Sequence, residues 1–183
     1  NTILQREDCL QNDKLHARAL RLVGELRRQD LMPALMAAAK SKKEDIVFWA
    51  AWSAILLGHK SSVDFLKPSL LKAGPNQERA IQLAFRVLPI EKARSWISDM
   101  AKIKELDRAV IKATGVLGDP HAVNWLITKM QDPKLARLAG EVFSLITGID
   151  LEHRQLIVAL PGNKRQGPND NPADDNVALD PDE

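Results

Sequence analysis

A short apolar run closed by glycine or proline recurs along the chain at nearly even spacing: RLVG ending at Gly24, ILLG at Gly58, RVLP at Pro89, GVLG at Gly118 and LITG at Gly148. The intervals are 34, 31, 29 and 30 residues. Glycine or proline after an apolar pair stops a helix, because glycine tolerates the left-handed turn and proline cannot continue the hydrogen-bond ladder. Five residues before each stop stand Ala19, Ser53, Ala84, Ala113 and Phe143. Most are small, so a neighbouring helix can approach closely. A second, shorter helical stretch follows most stops. A unit of about 30 residues cannot bury its apolar face alone, so such units must stack. The expected fold is all-α: a right-handed α-solenoid of about five helix pairs.

Composition supports helices over strands. Ala and Leu are abundant, aromatics make up 4% and Tyr is absent. No apolar run approaches the roughly 20 residues a membrane helix needs; the longest uncharged apolar window, IVFWAAWSAILLG at 46–58, is shorter. No secretory signal pattern is present. Cys9 is the single cysteine, so neither an internal disulfide nor a cysteine-based metal cluster can form. The expected setting is the bacterial cytoplasm. The chain opens at Asn1 rather than Met and is expected to be a fragment or a processed product.

Charge is unevenly distributed. Residues 161–183 carry Lys164 and Arg165 against six acids, a net of −4, and the other 160 residues a net of +6. The expected organisation is a partial helix or remnant of a preceding region over 1–12, the solenoid over 13–160, and an irregular acidic tail over 161–183. Few apolar residues and many Pro, Asn and Asp argue against an independent fold for the tail. Its apolar triplet Val177, Ala178 and Leu179 is expected to dock against a solenoid surface, with the neighbouring acids facing basic residues.

Within the body, Leu15, Ala19, Leu22 and Leu26 fall at helical spacing and are expected to form the buried stripe of the first helix. DIVFWAAWSAILLG is apolar almost all round, as a helix buried on every side would be. The last unit, PKLARLAGEVFSLITG, lacks a clear second helix and reads as a terminal cap.

The stretch GVLGDPHAV at 115–123 could be a phosphate loop or a turn between helices. A phosphate loop needs a preceding strand and convergent backbone N–H groups; here a helix precedes. Asp119 is expected to cap the next helix, with Pro120 at a position where its missing N–H costs nothing. Asp132–Pro133 repeats the device, and Asp30 is a third expected cap. The segment ATGVLGDPHAVNWLITKMQDPKLARLAGEVFSLITG at 113–148 resembles the short HEAT-like repeats of the phycobilisome-lyase type, with Lys134–Arg137 departing from the usual valine–arginine spacing. LAGEVFSLITGIDL followed by NPADDNVALDPDE is similar to the end of a proteobacterial HEAT-like family encoded beside type VI secretion genes. That resemblance implies a role with secreted effectors, as immunity protein, adaptor or chaperone.

Candidates for chemistry are sparse. His16, His59, His121 and His153 fall in different units and form no H-x-x-x-H pair, so no metal site is expected. The serines lack a nucleophile-elbow context, the acids at 170–182 lack EF-hand spacing, and His121 beside Asp119 belongs to a turn. No catalytic residue and no cofactor is expected. Trp49, Trp52, Trp96 and Trp125 fit core positions better than base-stacking ones, and no basic run flanks them. A nucleic-acid-binding or DNA-repair solenoid is therefore the second reading, and a bilin-lyase-like enzyme the third.

The first reading is a non-catalytic protein-binding scaffold. In such stacks the second helices line the concave face. Polar and aromatic residues there are Asp64 and Lys67, then Lys92, Arg94, Ser98 and Asp99, then Asn124, Trp125 and Thr128. These nine are the expected partner surface. The expected partner is another protein, a secreted toxin or effector or a secretion component, with nucleic acid disfavoured and no membrane.

Overall fold

A computed structural model describes residues 10–157. The expected remnant over 1–12 thus falls mostly outside the described residues. So do Cys9, the acidic segment 161–183 and its triplet Val177, Ala178 and Leu179. Among the described residues there are nine α-helices, several 3-10 turns and no strand. The fold is all-α and solenoid-like. The chain forms two compact units, Asn1–Leu117 and Gly118–Glu183.

The N-terminal unit holds α1 (Asp13–Glu25), α2 (Met32–Ala38), α3 (Glu44–Leu56), α4 (Lys67–Leu70), α5 (Gln77–Val87), α6 (Ile90–Ala101) and α7 (Asp107–Leu117). A 3-10 segment, Lys60–Leu66, runs straight into α4. Long first helices alternate with second elements, as the spacing of the stops predicts. Helices α1 and α2 both pack on α3. Their shared core is Leu20, Val23, Leu35, Ile46, Ala50, Ala54 and Leu57. Segment 60–66 packs on both α3 and α5, and α7 packs on α5 and α6. Each interface buries methyl and methylene groups at about 25 cal/mol per Å² of apolar surface, the main force holding a stack of this kind.

Four of the five stops work as read; α5 ends at Val87, and Pro89 stands at the N-cap of α6. Gly58, Gly118 and Gly148 adopt φ of 97°, 69° and 72°, the left-handed region that a side chain rarely enters. Gly24 does something else. It stays helical and buried, and the left-handed residue there is Arg27, at φ 53°. A Cβ on Gly24 would stand 2.7 Å from the Ser53 Oγ and 2.8 Å from the Ser53 Cα. Its missing side chain is what lets α1 and α3 touch. At that contact the Ser53 hydroxyl, fully buried, donates to the Leu20 carbonyl at 2.7 Å.

The expected stripe of α1 is corrected. Leu15, Leu22 and Leu26 are 45, 47 and 67% exposed, and the buried side is Ala17, Ala19, Leu20, Val23 and Gly24. The two sets are offset by part of a turn, and only the packing of α2 and α3 selects the second. Helix α3 is likewise not buried all round. Trp49 and Trp52 are half-buried and Leu56 is 44% exposed, so one side of this apolar helix is open. Asp30 does not cap α2; its carboxylate takes two hydrogen bonds from the Arg28 guanidinium.

The C-terminal unit holds α8 (Val123–Lys129) and α9 (Ala136–Thr147), packed together over Leu126, Leu135, Ala139 and Val142. Asp119 accepts from the His121 N–H at 3.1 Å and starts the 3-10 turn that leads into α8. Asp132 accepts from the Lys134 N–H at 3.0 Å and shapes a turn ahead of α9 rather than capping the helix itself. After Gly148, Asp150 organises a turn by accepting from the Glu152 and His153 N–H groups. No second helix follows α9 among the described residues.

Candidate functional site

The expected surface residues of the N-terminal unit lie on two adjacent second elements, the 60–70 segment and α6. Lys92 Nζ donates to Asp64 at 2.6 Å, and Lys67 Nζ donates to Asp99 at 2.8 Å. The pairs run in opposite directions, each element giving one cation and one carboxylate. Asp99 also accepts from Lys102 at 2.9 Å. Hydrogen bonds from Lys67 and Lys102 hold the Asp99 carboxyl down to about 2, from 3.8. Between the pairs lies Trp96, 5% exposed, with the Lys67 and Lys92 ammonium groups 5.5 and 5.6 Å from its ring centroid. Two cations close to one indole ring add an electrostatic attraction to the packing.

Arg94 is half-buried on the same helix and donates to Glu91 at 3.3 Å. Ser98 is exposed. Asn124, Trp125 and Thr128 belong to the C-terminal unit, on α8. There Trp125 is half-buried with the Lys129 ammonium 5.5 Å from its ring. Thr128 is exposed and donates to the Asn124 carbonyl at 3.1 Å. Of the nine expected residues, the structure thus brings Asp64, Lys67, Lys92 and Asp99 into one linked cluster around Trp96.

Of the tryptophans read as core, Trp96 is buried, and Trp49 packs against the core of α1, α2 and α3 with part of its ring left open. Trp125 is half-buried, and so are Trp49 and Trp52, which form a feature that the sequence does not announce. Trp49 meets Phe48 and Trp52 edge to face, at 5.1 and 5.4 Å between ring centroids. The Arg21 guanidinium, from α1, lies 5.1 Å from the Trp49 ring, and that of Arg79, from α5, lies 5.8 Å from it. Three successive first helices therefore meet through one indole. The signal available was the W-x-x-W spacing in α3 with arginines about one repeat to either side, since residues one period apart are spatial neighbours in a stack.

A cavity of about 440 Å³ is lined chiefly by Leu10, Leu20, Ala34, Ala38 and Ile46, with His16, Ser41 and Lys43 among its walls. Lys43 is engaged by Asp13. Burial lowers the His16 pKa, against Asp13, which raises it. His121 and Asp119 bond each other at the turn, at 3.0 Å. Among the described residues no group of three or more His, Cys, Asp or Glu is placed to hold a metal ion. No helix among them is long and apolar enough to cross a membrane.

Comparison with known proteins agrees with the fold. Residues 5–85 match the family model described as HEAT repeats. The chain is HEAT-like in its repeats, and HEAT repeats commonly mediate protein–protein interaction, typically as non-catalytic scaffolds. No curated protein and no solved structure matches the chain.

Proposed function

We propose that the chain is a non-catalytic protein-binding scaffold of bacterial cytoplasm, associated with type VI secretion, which holds an effector or secretion component as immunity protein, adaptor or chaperone. The observation that carries the binding role is the Asp64–Lys92 and Lys67–Asp99 cluster around Trp96. Its charged groups are held in place by one another before any partner arrives, so less side-chain freedom is lost on binding. Each ammonium has three N–H donors, and hydrogen bonds to the cluster's own carboxylates leave donors for a partner. Arg94 and Ser98 extend this surface along α6, and Asn124, Trp125 and Thr128 offer a second contact area on α8. The link to secretion rests on the resemblance of 138–151 and 171–183 to the family encoded beside those genes, and HEAT-like repeats fit the scaffold role.

The test is tagged capture from the native host, followed by mass spectrometry, with the wild type and Lys67→Glu/Lys92→Glu compared. An effector or secretion component recovered with the wild type and lost with the variant is the expected result. A partner retained by the variant would remove the cluster from the reading. Capture without any secretion component would remove the secretion role.

A further inference from the structure

The outer side of the first helices has a composition that the second-element cluster does not share. On α1, Arg18 and Arg21 are one turn apart. On α3, Trp49, Trp52 and Leu56 follow at three- and four-residue spacing, so they share a face. On α5, Arg79, Gln82 and Arg86 continue the strip. The Arg21 and Arg79 contacts with Trp49 fix the three helices side by side at this point. Trp49 and Trp52 are half-buried, Leu56 is 44% exposed, and Arg18, Arg79 and Arg86 are exposed. The middle of the strip is apolar and both flanks are cationic.

The arginines are also short of anions. Arg21 alone pairs with a carboxylate, Glu25, at 2.7 Å. Arg79 donates to the Pro75 carbonyl and Arg86 to the Gln82 amide oxygen. Arg18 has no ion-pair partner among the described residues. Neutral acceptors leave a guanidinium's charge uncompensated, and its fork of donors matches a carboxylate in two-point geometry. Aromatic rings beside arginines are also the residue types that dominate binding energy at protein interfaces.

We propose that this strip is a docking surface for an acidic protein segment with a short apolar anchor. The anchor packs on Trp52 and Leu56 beside the edge of Trp49, and flanking carboxylates pair with Arg18 on one side and with Arg79 and Arg86 on the other. A single nucleic-acid strand is the poorer fit. Guanidinium groups from two helices already occupy Trp49, leaving it little ring face for a base to stack on. This surface is independent of the secretion reading and of the cluster around Trp96.

The experiment uses the full chain, labelled with ¹⁵N, and a 15-residue synthetic peptide with three central apolar residues between two runs of glutamate. Four tryptophan indole N–H signals serve as reporters. The expected result is a saturable shift of the Trp49 and Trp52 signals with those of Trp96 and Trp125 unmoved. Arg79→Glu/Arg86→Glu should weaken binding roughly tenfold or more, as loss of two charge pairs at an interface does. Arg79→Lys/Arg86→Lys should retain part of it, and Lys92→Glu should leave it unchanged. Matching amide spectra and melting temperatures establish that each variant is folded. The proposal is overturned if millimolar peptide leaves the Trp49 and Trp52 signals in place, if the glutamate variant binds like the wild type, or if a lysine-for-glutamate peptide binds equally. It is also overturned if a 15-nucleotide single strand shifts those signals and the acidic peptide does not.

Discussion

Two regions of the N-terminal unit carry tryptophan beside cations and differ in how those charges are met. Around Trp96, Lys67, Lys92 and Lys102 each end on a carboxylate, and the indole is buried beneath two of them. Around Trp49, most arginines end on neutral oxygens or on no acceptor among the described residues, and the indole is partly open. The first region closes on itself, so it joins two successive second elements and presents a preset charge pattern. The second joins three first helices through one ring and leaves charge for something else to satisfy. Similar residue types thus produce a self-satisfied surface in one place and an unsatisfied one in another. The difference lies in whether the neighbouring repeat supplies the opposite charge.

The sharpest way to break this contrast is to truncate the two indoles. Trp96→Ala empties a buried site and should cost about 3–5 kcal/mol, read as a fall in the urea midpoint. Trp49→Ala should cost less, because part of its surface already meets water. Equal losses would mean that Trp49 is core after all. Gly24→Ala tests the contact beneath the open strip. With Ser53 backbone 2.8 Å from the new Cβ, the helices must separate, for about 1–3 kcal/mol by the same measurement. A stability unchanged by Gly24→Ala would show that α1 and α3 can part freely.

Smaller effects sharpen the charge argument. A double-mutant cycle on Asp64→Ala and Lys92→Ala should give a coupling of about 0.2–1 kcal/mol, since the pair is partly exposed. The same cycle on Arg79 and Glu78, which no ion pair joins, should give none. Acid titration tests the other pair. Asp99 is held at about 2 when folded against 3.8 as its ordinary value. A depressed carboxyl means that the unfolded chain takes up the proton first, so the contribution is full above pH 3.8. It is lost as pH falls from there through about 2. Asp99→Asn should remove that part of the acid slope in chemical-denaturation midpoints, and an unchanged slope would mean that Lys67 and Lys102 do not hold the carboxylate in solution.

Much of the architecture was legible in the residues. The near-30 spacing, the left-handed glycines at 58, 118 and 148 and the Asp119 cap are local features, decided by backbone sterics and hydrogen bonds within a few residues. Asp64, Lys67, Lys92 and Asp99 were legible as polar residues of second elements, but not their pairing, which arises because residues one period apart become neighbours once units stack. Two readings failed for one shared reason. The Leu15, Leu22 and Leu26 stripe and the all-round burial of α3 each assumed that an apolar residue at helical spacing finds a cover. Periodicity defines a face of a helix without saying what lies against it. Gly24 illustrates the converse: the residue that reads as a stop is needed inside the helix, for an approach set by Ser53 in the next repeat.

The sequence by itself determined that this chain is helical, that its helices recur as stacking pairs, and where most of them end. Those outcomes depend on propensity, period and chain-local geometry. Only the tertiary structure decided which sides of α1 and α3 are covered, which tryptophan is core, and which cations find an anion within the fold. Burial and charge pairing depend on residues about 30 positions away, and the register of one helix against the next settles whether they meet.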